Sequence, residues 1–420
     1  MIVPFTLENI RNGDVLSGYY DVQDNMLLDF RPYCTLSYIQ SLMDRPNINP
    51  RFQIFVCNPD DTQKYKIPSE DIVLGGSASE NYQNGQRRSL NFSLINETGK
   101  YTPKQGTDIW VDNKLALEIG LEVPELVGVV WFKWGIYTIS NANPSHSLTQ
   151  KTVSIEAADK FHILEGTMGT LQYTYEIPEE SEIEEVIFDI LNTQRGNGYV
   201  LDSAPIIYHP AFKGKKTPIK ISGESGSTYG SILTQLADVL SAEIFYNAEG
   251  RLTIIPKLEM IQDGDKPVVY DFVDYNGDFQ DANLSLDMSQ FINKIVVIGS
   301  NVNGRLIMAT AVNDDPSSPL SYQKIGYRIA IVNDTNITND VNAQERADYE
   351  LRKVLIAKSS LTSSVFFNPL LAVNTLVTYT EAFYGFERER LLIQSLSFNL
   401  DYTGTMSITA SNIHNLPFVV

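Results

Sequence analysis

The sequence has 420 residues, of which 43% are hydrophobic and 10% aromatic, a composition that excludes an intrinsically disordered chain. This length exceeds what one ordinary core can organise, so we expect about two to four domains. The formal net charge of −19 excludes a protein that grips nucleic acid by neutralising phosphates, because such binding needs a surplus of Lys and Arg.

Residues 1–170 predict an all-β domain. Residues 88–94 alternate strictly between apolar and short polar side chains. Further strands are predicted at residues 114–119, 129–140 and 152–157, with turn-rich segments between them. Short strands at such intervals are typical of a barrel or a sandwich. The order of the strands before residue 88 stays open.

Residues 171–260 predict a small α/β domain. Ser181 and Glu184 have the spacing of a capping box, and an apolar stripe at helical period follows them. A second helix is predicted at residues 228–240. A β-hairpin that turns at residues 247–250 completes the domain.

Residues 261–420 predict a second β domain that carries one helix. Residues 292–300 are rich in Ile and Val and predict a strand, which Asn303-Gly304 ends with a two-residue turn. Residues 342–357 place apolar side chains on one helical stripe and charged ones on the other faces. A closing hairpin of strictly alternating strands is predicted around residues 401–404.

The cysteines and the N-terminal segment bear on the compartment. Cys34 and Cys57 fit neither a disulfide framework nor a metal-site spacing, and we expect both to be small buried side chains. The first residues lack the basic and apolar regions of a signal peptide, and no apolar stretch is long enough to span a membrane. We therefore expect synthesis in a reducing cytoplasm, without stable membrane insertion.

No complete catalytic or metal-binding motif occurs in the sequence. The histidines are His146, His162, His209 and His414. Their spacing fits no local zinc motif. Residues 223–230 lack the second glycine of a nucleophile elbow, so they predict a loop and N-cap, and residues 214–217 lack the first glycine of a phosphate-binding loop. Residues 274–281 misplace the glycine of a calcium loop and predict a turn. We predict no catalytic, cofactor-binding or metal-binding residue.

Two charged segments allow two interpretations each. The acidic run 179–185 is typical of a helix start, where carboxylates complement the macrodipole, and the alternative is a cation or partner surface. The basic loop 212–216 predicts a solvated loop, and the alternative is contact with an acidic neighbouring subunit. The carboxylate pairs Asp60-Asp61 and Asp314-Asp315 predict solvated loops rather than an acid–base site.

Trp131 and Trp134 belong to the densest aromatic patch of the sequence. An aromatic platform for a sugar is one interpretation. Because the two side chains fall on opposite faces of a predicted strand, packing in a core is favoured.

Three segments together resemble the tail-hub proteins of phages and related injection machines. Residues 88–103 with 109–121 resemble the tube-forming N-terminal barrel of that family. Residues 228–256 resemble the helix and hairpin of its small α/β domain, and residues 325–411 resemble its C-terminal region. The order and spacing of the segments carry the resemblance.

The resemblance implies a mainly β fold with an α+β insert, in which two tail-tube-like β-barrel domains (1–170 and 261–420) flank the small α/β domain (171–260). Three such subunits make a ring of six similar barrels, which matches a sixfold tail tube above and a threefold central spike below. The chain is then a homotrimeric hub of the virion's baseplate or tail tip. Its partners are the tail tube protein, the central spike protein and other baseplate proteins. DNA passes through an acidic lumen without specific binding.

Other classes of function stay open at this stage. The sequence ends at Val420 without an appended peptidase, lysozyme or fibre, which favours a compact hub of a contractile or a non-contractile tail. A cell-wall-degrading tail enzyme would need paired carboxylates or a metal in a cleft. A receptor- or carbohydrate-binding tail module would expose Trp131 and Trp134. We expect a structural protein that is not an enzyme and needs no cofactor.

Overall fold

The computed structural model describes residues 2–11, 14–22, 36–43, 49–111, 113–123, 128–196, 198–240, 242–256, 268–274, 277–286, 291–302, 304–334, 337–355 and 359–412. The strands are β1 (Ile2–Arg11), β2 (Asp14–Val22), β3 (Pro50–Cys57), β4 (Gln63–Lys66), β5 (Ile72–Asn81), β6 (Arg88–Ile95), β7 (Lys114–Val123), β8 (Gly128–His146), β9 (Lys151–Asp159), β10 (Tyr175–Ile177), β11 (Ile207–Tyr208), β12 (Ile221–Gly223), β13 (Ala242–Tyr246), β14 (Leu252–Pro256), β15 (Val268–Val273), β16 (Phe279–Leu286), β17 (Lys294–Val302), β18 (Arg305–Val312), β19 (Ile329–Asn333), β20 (Ser359–Phe366), β21 (Leu376–Glu381), β22 (Phe386–Leu400) and β23 (Thr405–Asn412). The α-helices are α1 (Leu36–Met43), α2 (Phe161–Glu165), α3 (Ile183–Leu191), α4 (Tyr229–Val239), α5 (Tyr322–Ile325) and α6 (Asp340–Leu355).

Most of the strands form one continuous sheet that contains the same six-strand arrangement twice. The first β unit has the order β5-β6-β9-β8-β7-β3, and the second β unit has the order β16-β20-β23-β22-β21-β15. The matching strands also follow each other in the same order along the chain. One pairing differs, because β3 is antiparallel to β7 whereas β15 is parallel to β21. The predicted mainly β fold class is confirmed.

The strand β22 joins the two β units. Its residues 395–400 pair antiparallel with residues 76–81 of β5. One hydrophobic core, built from side chains of both units, lies behind this join. In the described residues each half of the sheet therefore continues into the other, and neither half closes on itself as a separate barrel.

The two longest strands bend the sheet over its core. β8 pairs with β7 along its first part and with β9 along its last part, and β22 exchanges β21 for β23 in the same way. The register shifts between Ile139 and Asn141 in β8, and between Ile393 and Ser395 in β22. Such bulges bend a strand and increase its twist, so each strand can serve two layers.

The α/β insert packs around a second core. In α3 the predicted apolar stripe is buried, and α4 begins after Thr228, whose hydroxyl accepts a hydrogen bond from the N–H of Ser231 at 3.1 Å. The predicted N-cap and helix are therefore confirmed. The hairpin β13–β14 follows α4 and supplies the middle strand, β14, of a three-stranded sheet.

The predicted capping box of Ser181 and Glu184 is wrong. The hydroxyl of Ser181 donates to the Pro178 carbonyl at 2.7 Å, and the Glu184 carboxylate accepts from the N–H of Gly214 at 3.1 Å. The first helical N–H, that of Ile183, donates instead to the carbonyl of Lys215 at 3.1 Å. A distant loop thus satisfies the helix start, which a local pattern cannot reveal.

A third core divides the C-terminal region. The sequence between β16 and β20 forms the sheet β18-β17-β19 and the helix α6, which pack together, and α6 buries Ala343, Ala347 and Leu351. The helix begins two residues before its predicted start at residue 342, and predicted residues 356–357 lie outside the described residues. Asn303 also lies outside them, and Gly304 has the positive φ of a tight turn.

The three domain ranges drawn from the sequence stay a prediction.

A buried carboxylate ties the α/β insert to both β units. The Oε2 atom of Glu243, in β13, lies 2.8 Å from Nη2 of Arg87, and both side chains are almost fully buried. Its Oε1 atom accepts from the Tyr82 hydroxyl at 3.0 Å and from the Asn374 amide at 2.7 Å. The guanidinium of Arg87 also stacks 3.8 Å above the ring of Phe245. One carboxylate therefore fixes three parts of the chain at one point.

A second buried ionic cluster lies nearby. The ammonium of Lys160, which has no exposed surface, lies 2.6 Å from Oδ2 of Asp61 and 2.8 Å from Oδ2 of Asp202. It also donates to the Gly250 carbonyl at 2.8 Å, and Lys114 lies 2.5 Å from Asp61. Burial lowers the pKa of Lys114, and the like charge of Lys160 adds to that effect.

Removing the charge of Glu243 tests the first junction. We expect Glu243→Gln to lower the free energy of unfolding by about 3–5 kcal/mol, because Arg87 would stay buried without a counter-charge. The matched control is Glu176→Gln, whose partner Lys220 is more than half exposed, so it should change stability by less than about 1 kcal/mol. Urea unfolding measures both, and equal effects would contradict the assignment.

The buried carboxylate of Asp159 predicts a pH dependence. Burial raises the pKa of Asp159 to about 6, although the carboxylate accepts hydrogen bonds from the N–H groups of Arg87, Arg88 and Phe161. Because this pKa is above the ordinary 3.8, the group's contribution to stability is full below about pH 3.8 and is lost as the pH rises through about 6.

Relative to the Asp159→Asn variant, the parent protein should therefore lose on the order of 3 kcal/mol of unfolding free energy over that interval. Urea unfolding at pH values from about 4 to 7 measures the difference. A difference that stays constant with pH would refute the assigned pKa.

Candidate functional site: the polar face of the continuous sheet

The strands β16-β20-β23-β22-β5-β6-β9-β8 run side by side across both β units and expose one face. Because side chains alternate along a strand, one set faces the core and the other faces outward. We call the outward set the polar face. It comprises Asp281, Asn283 and Ser285 of β16, Thr362 and Ser364 of β20, Ser407 and Thr409 of β23, Ser395, Ser397 and Asn399 of β22, Ser77 and Ser79 of β5, Ser89, Asn91 and Ser93 of β6, Ser154 and Glu156 of β9, and Asn141, Asn143 and Ser145 of β8.

The chemistry of the polar face is uniform. Apart from the carboxylates of Glu156 and Asp281, the residues named above are hydroxyls and amides without Lys or Arg, and the apolar Ile95 and Phe366 also point outward at the ends of β6 and β20. The large negative charge of the chain therefore lies elsewhere, for example in the acidic run 179–185. This face is hydrated and nearly neutral.

Hydrogen bonds link the polar face across its strands. The hydroxyls of Ser79 and Ser89 lie 2.7 Å apart, and those of Thr362 and Thr409 lie 3.4 Å apart. The Asp281 carboxylate accepts from the main-chain N–H of Ser364 at 2.9 Å. Ser397 is directly opposite Ser79, so the row of short side chains crosses the join between the two β units.

The opposite face of the same strands is apolar and fully packed. Leu90, Phe92, Ile155, Phe398 and Ile408 are all buried there. Strands that are backed by a packed core and paired on both sides keep their side chains in fixed places. The polar face is therefore a rigid surface rather than a set of flexible loops.

The polar face offers no activated nucleophile. A serine hydroxyl needs an adjacent base to attack a substrate, and the described members of this face include no His or Lys that could act as one. Among the described residues, no cluster of three or more His, Cys, Asp or Glu side chains has the geometry to hold a metal ion. What this arrangement can do is present many weak hydrogen-bonding groups to water or to a passing solute.

Two cavities lie away from the polar face. The larger, of about 720 Å³, lies beside α3 and is lined by Glu184, Phe188, Asp189 and Tyr208 among others. The smaller, of about 240 Å³, lies between the first β unit and the α/β insert and includes Lys114 and His162. Among the described hydrogen bonds, none joins a serine or threonine hydroxyl of either cavity to a histidine, lysine or carboxylate lining it.

The aromatic pair of the sequence analysis belongs to the core. Trp131 and Trp134 are both buried, and the ring of Trp134 lies 5.1 Å from that of Phe398 in the second β unit. Packing in a core is therefore the correct interpretation. A sugar platform would require the exposed ring faces that burial removes.

The two charged segments contact each other within the chain. Glu184 and Glu185 lie in the first turn of α3, as predicted for a helix start. Gly214 of the basic loop donates its N–H to Glu184, and Lys216 lies 3.7 Å from Glu180. The basic loop thus has an acidic neighbour in its own subunit.

The remaining candidates have structural roles. Cys57 is buried, which raises the pKa of its thiol to about 12, and Cys34 lies outside the described residues. The segment 223–230 forms the end of β12 and the N-cap of α4. In the segment 274–281, the N–H of Gly277 donates to the Asp274 carbonyl in a turn, and residues 275–276 lie outside the described residues.

The other candidates are scattered. His146, His162 and His209 lie on separate elements, and His414 falls outside the described residues. Thr217 of the segment 214–217 is fully buried, and its hydroxyl donates to the Pro178 carbonyl. Asp60 and Asp315 accept hydrogen bonds from Thr62 and Ser317 in their own loops. The candidates that lie within the described residues therefore do not meet in one site.

Sequence reasoning missed Asp61 and the polar face. Asp61 was assigned to a solvated loop, but it binds Lys114 and Lys160 from a backbone with φ of 68°. The alternating Ser and Asn of several strands was visible, but it indicates only a solvated side. Its extent over eight strands depends on pairings between distant segments.

No described helix is both long enough and apolar enough to cross a membrane.

Comparison with known proteins shows which fold this is. No protein-family model and no curated protein matches the sequence. The solved 43 kDa tail protein of prophage MuSo2 from Shewanella oneidensis is 16% identical, and the match covers 86% of this chain and 98% of that one with a TM-score of 0.55. The tail protein from Neisseria meningitidis MC58 is 11% identical over 86% of this chain and 97% of that one, with a TM-score of 0.58.

A chain of the Francisella PdpA-VgrG complex is 11% identical over 92% of this chain, with a TM-score of 0.52, and the match covers 56% of that longer chain. At such identities the similarity establishes a shared fold. The resemblance to tail proteins drawn from the sequence is confirmed at the level of the fold.

Proposed function

We propose that the protein is a structural hub of a phage tail, located in the baseplate or tail tip of the virion. Three copies form a ring with pseudo-sixfold symmetry, which joins a sixfold tail tube to a threefold central spike. Its role is mechanical and needs no catalytic step or cofactor. The observation that carries the proposal is the pair of equivalent β units joined side by side under one polar face.

The repeat supplies the symmetry that such an adaptor requires. Two β units with the same strand order in each chain give six similar units in a trimer, so one face can meet a sixfold partner while the assembly stays threefold. The fold shared with solved tail proteins supports a place in a tail. We expect tail tube protein, spike protein and other baseplate proteins as partners.

The width of the polar face supports three copies. Strands lie ~4.8 Å apart, so three runs of eight strands give a circumference of roughly 115 Å and a backbone diameter of at least ~37 Å before strand tilt is added. Barrels of about 16–18 strands already enclose an aqueous channel. A ring of this size leaves room for a DNA duplex.

The chemistry of the polar face suits a channel for DNA. A surface without Lys or Arg releases no counterions from the phosphates and so does not hold the duplex. Hydroxyls and amides also keep the wall wet. From the sequence we expect an acidic channel. We propose instead a nearly neutral channel wall, because most of the negative charge of the chain lies on other surfaces.

The ring is tested by the mass of the protein in solution. We expect light scattering to give a trimer near three times 47.1 kDa, either alone at high concentration or after addition of the tube and spike proteins of the same tail. Absence of a trimer under all of these conditions would refute the proposal.

The neutral lining is tested by adding charge to it. We expect Asn91→Lys, Ser397→Lys and Ser407→Lys together to create salt-sensitive DNA binding that the parent lacks, with each added phosphate contact steepening the salt dependence by a slope of about one. The control carries the same three charges on the α/β insert, through Gln172→Lys, Thr193→Lys and Ser225→Lys.

Fluorescence anisotropy with a labelled duplex at several salt concentrations measures both variants. Stronger binding by the control would show that the polar face does not line the DNA path.

A further inference from the structure

The join inside the chain shows how two β units fit side by side. Residues 395–400 of β22 pair with β5 on the side of β22 that faces away from β23, beyond the point where β21 ends. Ser397 is opposite Ser79, and Phe398 is opposite Ala78. This pairing shows how the long strand of one unit contacts the strand at the start of the other unit's spatial order.

The strand β8 is the equivalent of β22 in the first unit. The bulge after Ile139 corresponds to the bulge after Ile393, and the partners of these residues are Ala157 in β9 and Ala410 in β23. This alignment makes Asn143 equivalent to Ser397. In the described residues, β8 pairs with β7 only as far as Thr138, so its far side beyond that residue carries no strand.

The strand β16 is the equivalent of β5 in the second unit. Ala157 is opposite Leu90 and Ala410 is opposite Leu361, so these two leucines correspond. Leu90 is opposite Ala78, whereas Leu361 is opposite Leu284. This alignment makes Ser285 equivalent to Ser79. Among the described strands, β16 pairs with β20 alone and ends the sheet.

We infer that β8 of one copy pairs antiparallel with β16 of the next copy, in the register that places Asn143 opposite Ser285 and Pro144 opposite Leu284. This inference rests on the proposed ring and specifies its seam. The contact joins two different edges, so each copy offers one edge to each neighbour. Repetition of the internal geometry at this seam makes all joins around the ring alike and continues the polar face across them.

Main-chain groups on both edges face the seam. The N–H of Ser147 donates to the Gln150 carbonyl in the turn after β8, so by strand alternation residues 142, 144 and 146 direct their main-chain groups away from β9. In β16 the Ala282 carbonyl accepts from the Tyr384 hydroxyl, while the Asp281 carbonyl on the other side accepts from Ser363. Residues 282, 284 and 286 therefore face outward.

Pro144 makes the seam selective. It has no N–H, so the ladder lacks one donor opposite Leu284, and a proline on an edge strand discourages pairing with arbitrary strands. In the stated register Leu284 is opposite Pro144 and residue 286 is opposite Ala142, whereas the Ala282 carbonyl opposite His146 already accepts from the Tyr384 hydroxyl, which marks that end of the seam. A shift by one residue would place the apolar face of β16 beside the polar face of β8, so neither face would continue across the seam.

The test is a disulfide placed across the seam. In the inferred register Asn143 and Ser285 form a pair without mutual hydrogen bonds, whose Cα atoms lie ~4.5 Å apart, a separation that a disulfide spans. We expect full-length protein with Asn143→Cys and Ser285→Cys, oxidised with copper phenanthroline, to shift from monomer to species of two and three chain masses on a non-reducing gel.

Two matched variants make the result interpretable. Ser79→Cys with Ser397→Cys places the same bond in the internal join, and it should form within one chain without raising the mass. Asn143→Cys with Asn283→Cys is displaced by two residues, which separates the Cα atoms by ~7–8 Å and should give no more cross-linking than the parent with Cys34 and Cys57.

Light scattering on the unoxidised proteins, with and without tube and spike proteins, separates the possible failures. The seam is supported if cross-links between chains form in the variant with Asn143→Cys and Ser285→Cys and in neither of the other two variants. Trimers that do not cross-link in this register, or that cross-link better in the displaced one, overturn the inferred pairing and leave the proposed hub intact. Absence of any trimer overturns the hub and the seam together.

Discussion

The pairing of β22 with β5 is the contact on which the architecture depends. It turns two β units into one sheet, so both units present their apolar sides to a common core and their polar sides to the same exterior. The buried Glu243 then fixes the α/β insert against both units, through Arg87 on one side and Asn374 on the other. Side-by-side placement of the two β units is what these contacts secure.

The polar face shows how a two-residue period sets the chemistry of a whole surface. Every second residue is apolar because the core requires it, and the positions between are free to specify what the outside surface does. Here they are filled with Ser, Thr and Asn over eight strands. Longer charged side chains would fill the surface and bind or repel ions, whereas these side chains keep it smooth and hydrated.

Local sequence patterns predicted the helices and strands but not the distant residues that they contact. The apolar stripes of α3, α4 and α6 and the alternation of residues 88–94 are set by neighbours within a few positions, so the sequence predicted them. The capping box failed because Lys215, more than thirty positions away, satisfies the start of α3. The roles of Asp61 and Glu243, and the extent of the polar face, depend on residues up to hundreds of positions apart, and a single sequence does not encode such distances in any local period.

The join between β5 and β22 has a consequence for synthesis. Asn81 is opposite Ser395, so the two partners are separated by 314 positions. At translation rates of ~5–20 residues per second, β5 emerges roughly 15–60 s before its partner exists. During that time a nascent chain carries an unsatisfied strand edge, which neighbouring chains on the same messenger can capture. Chaperones, or the spacing of ribosomes along the transcript, would then decide how much of this protein reaches its native connectivity.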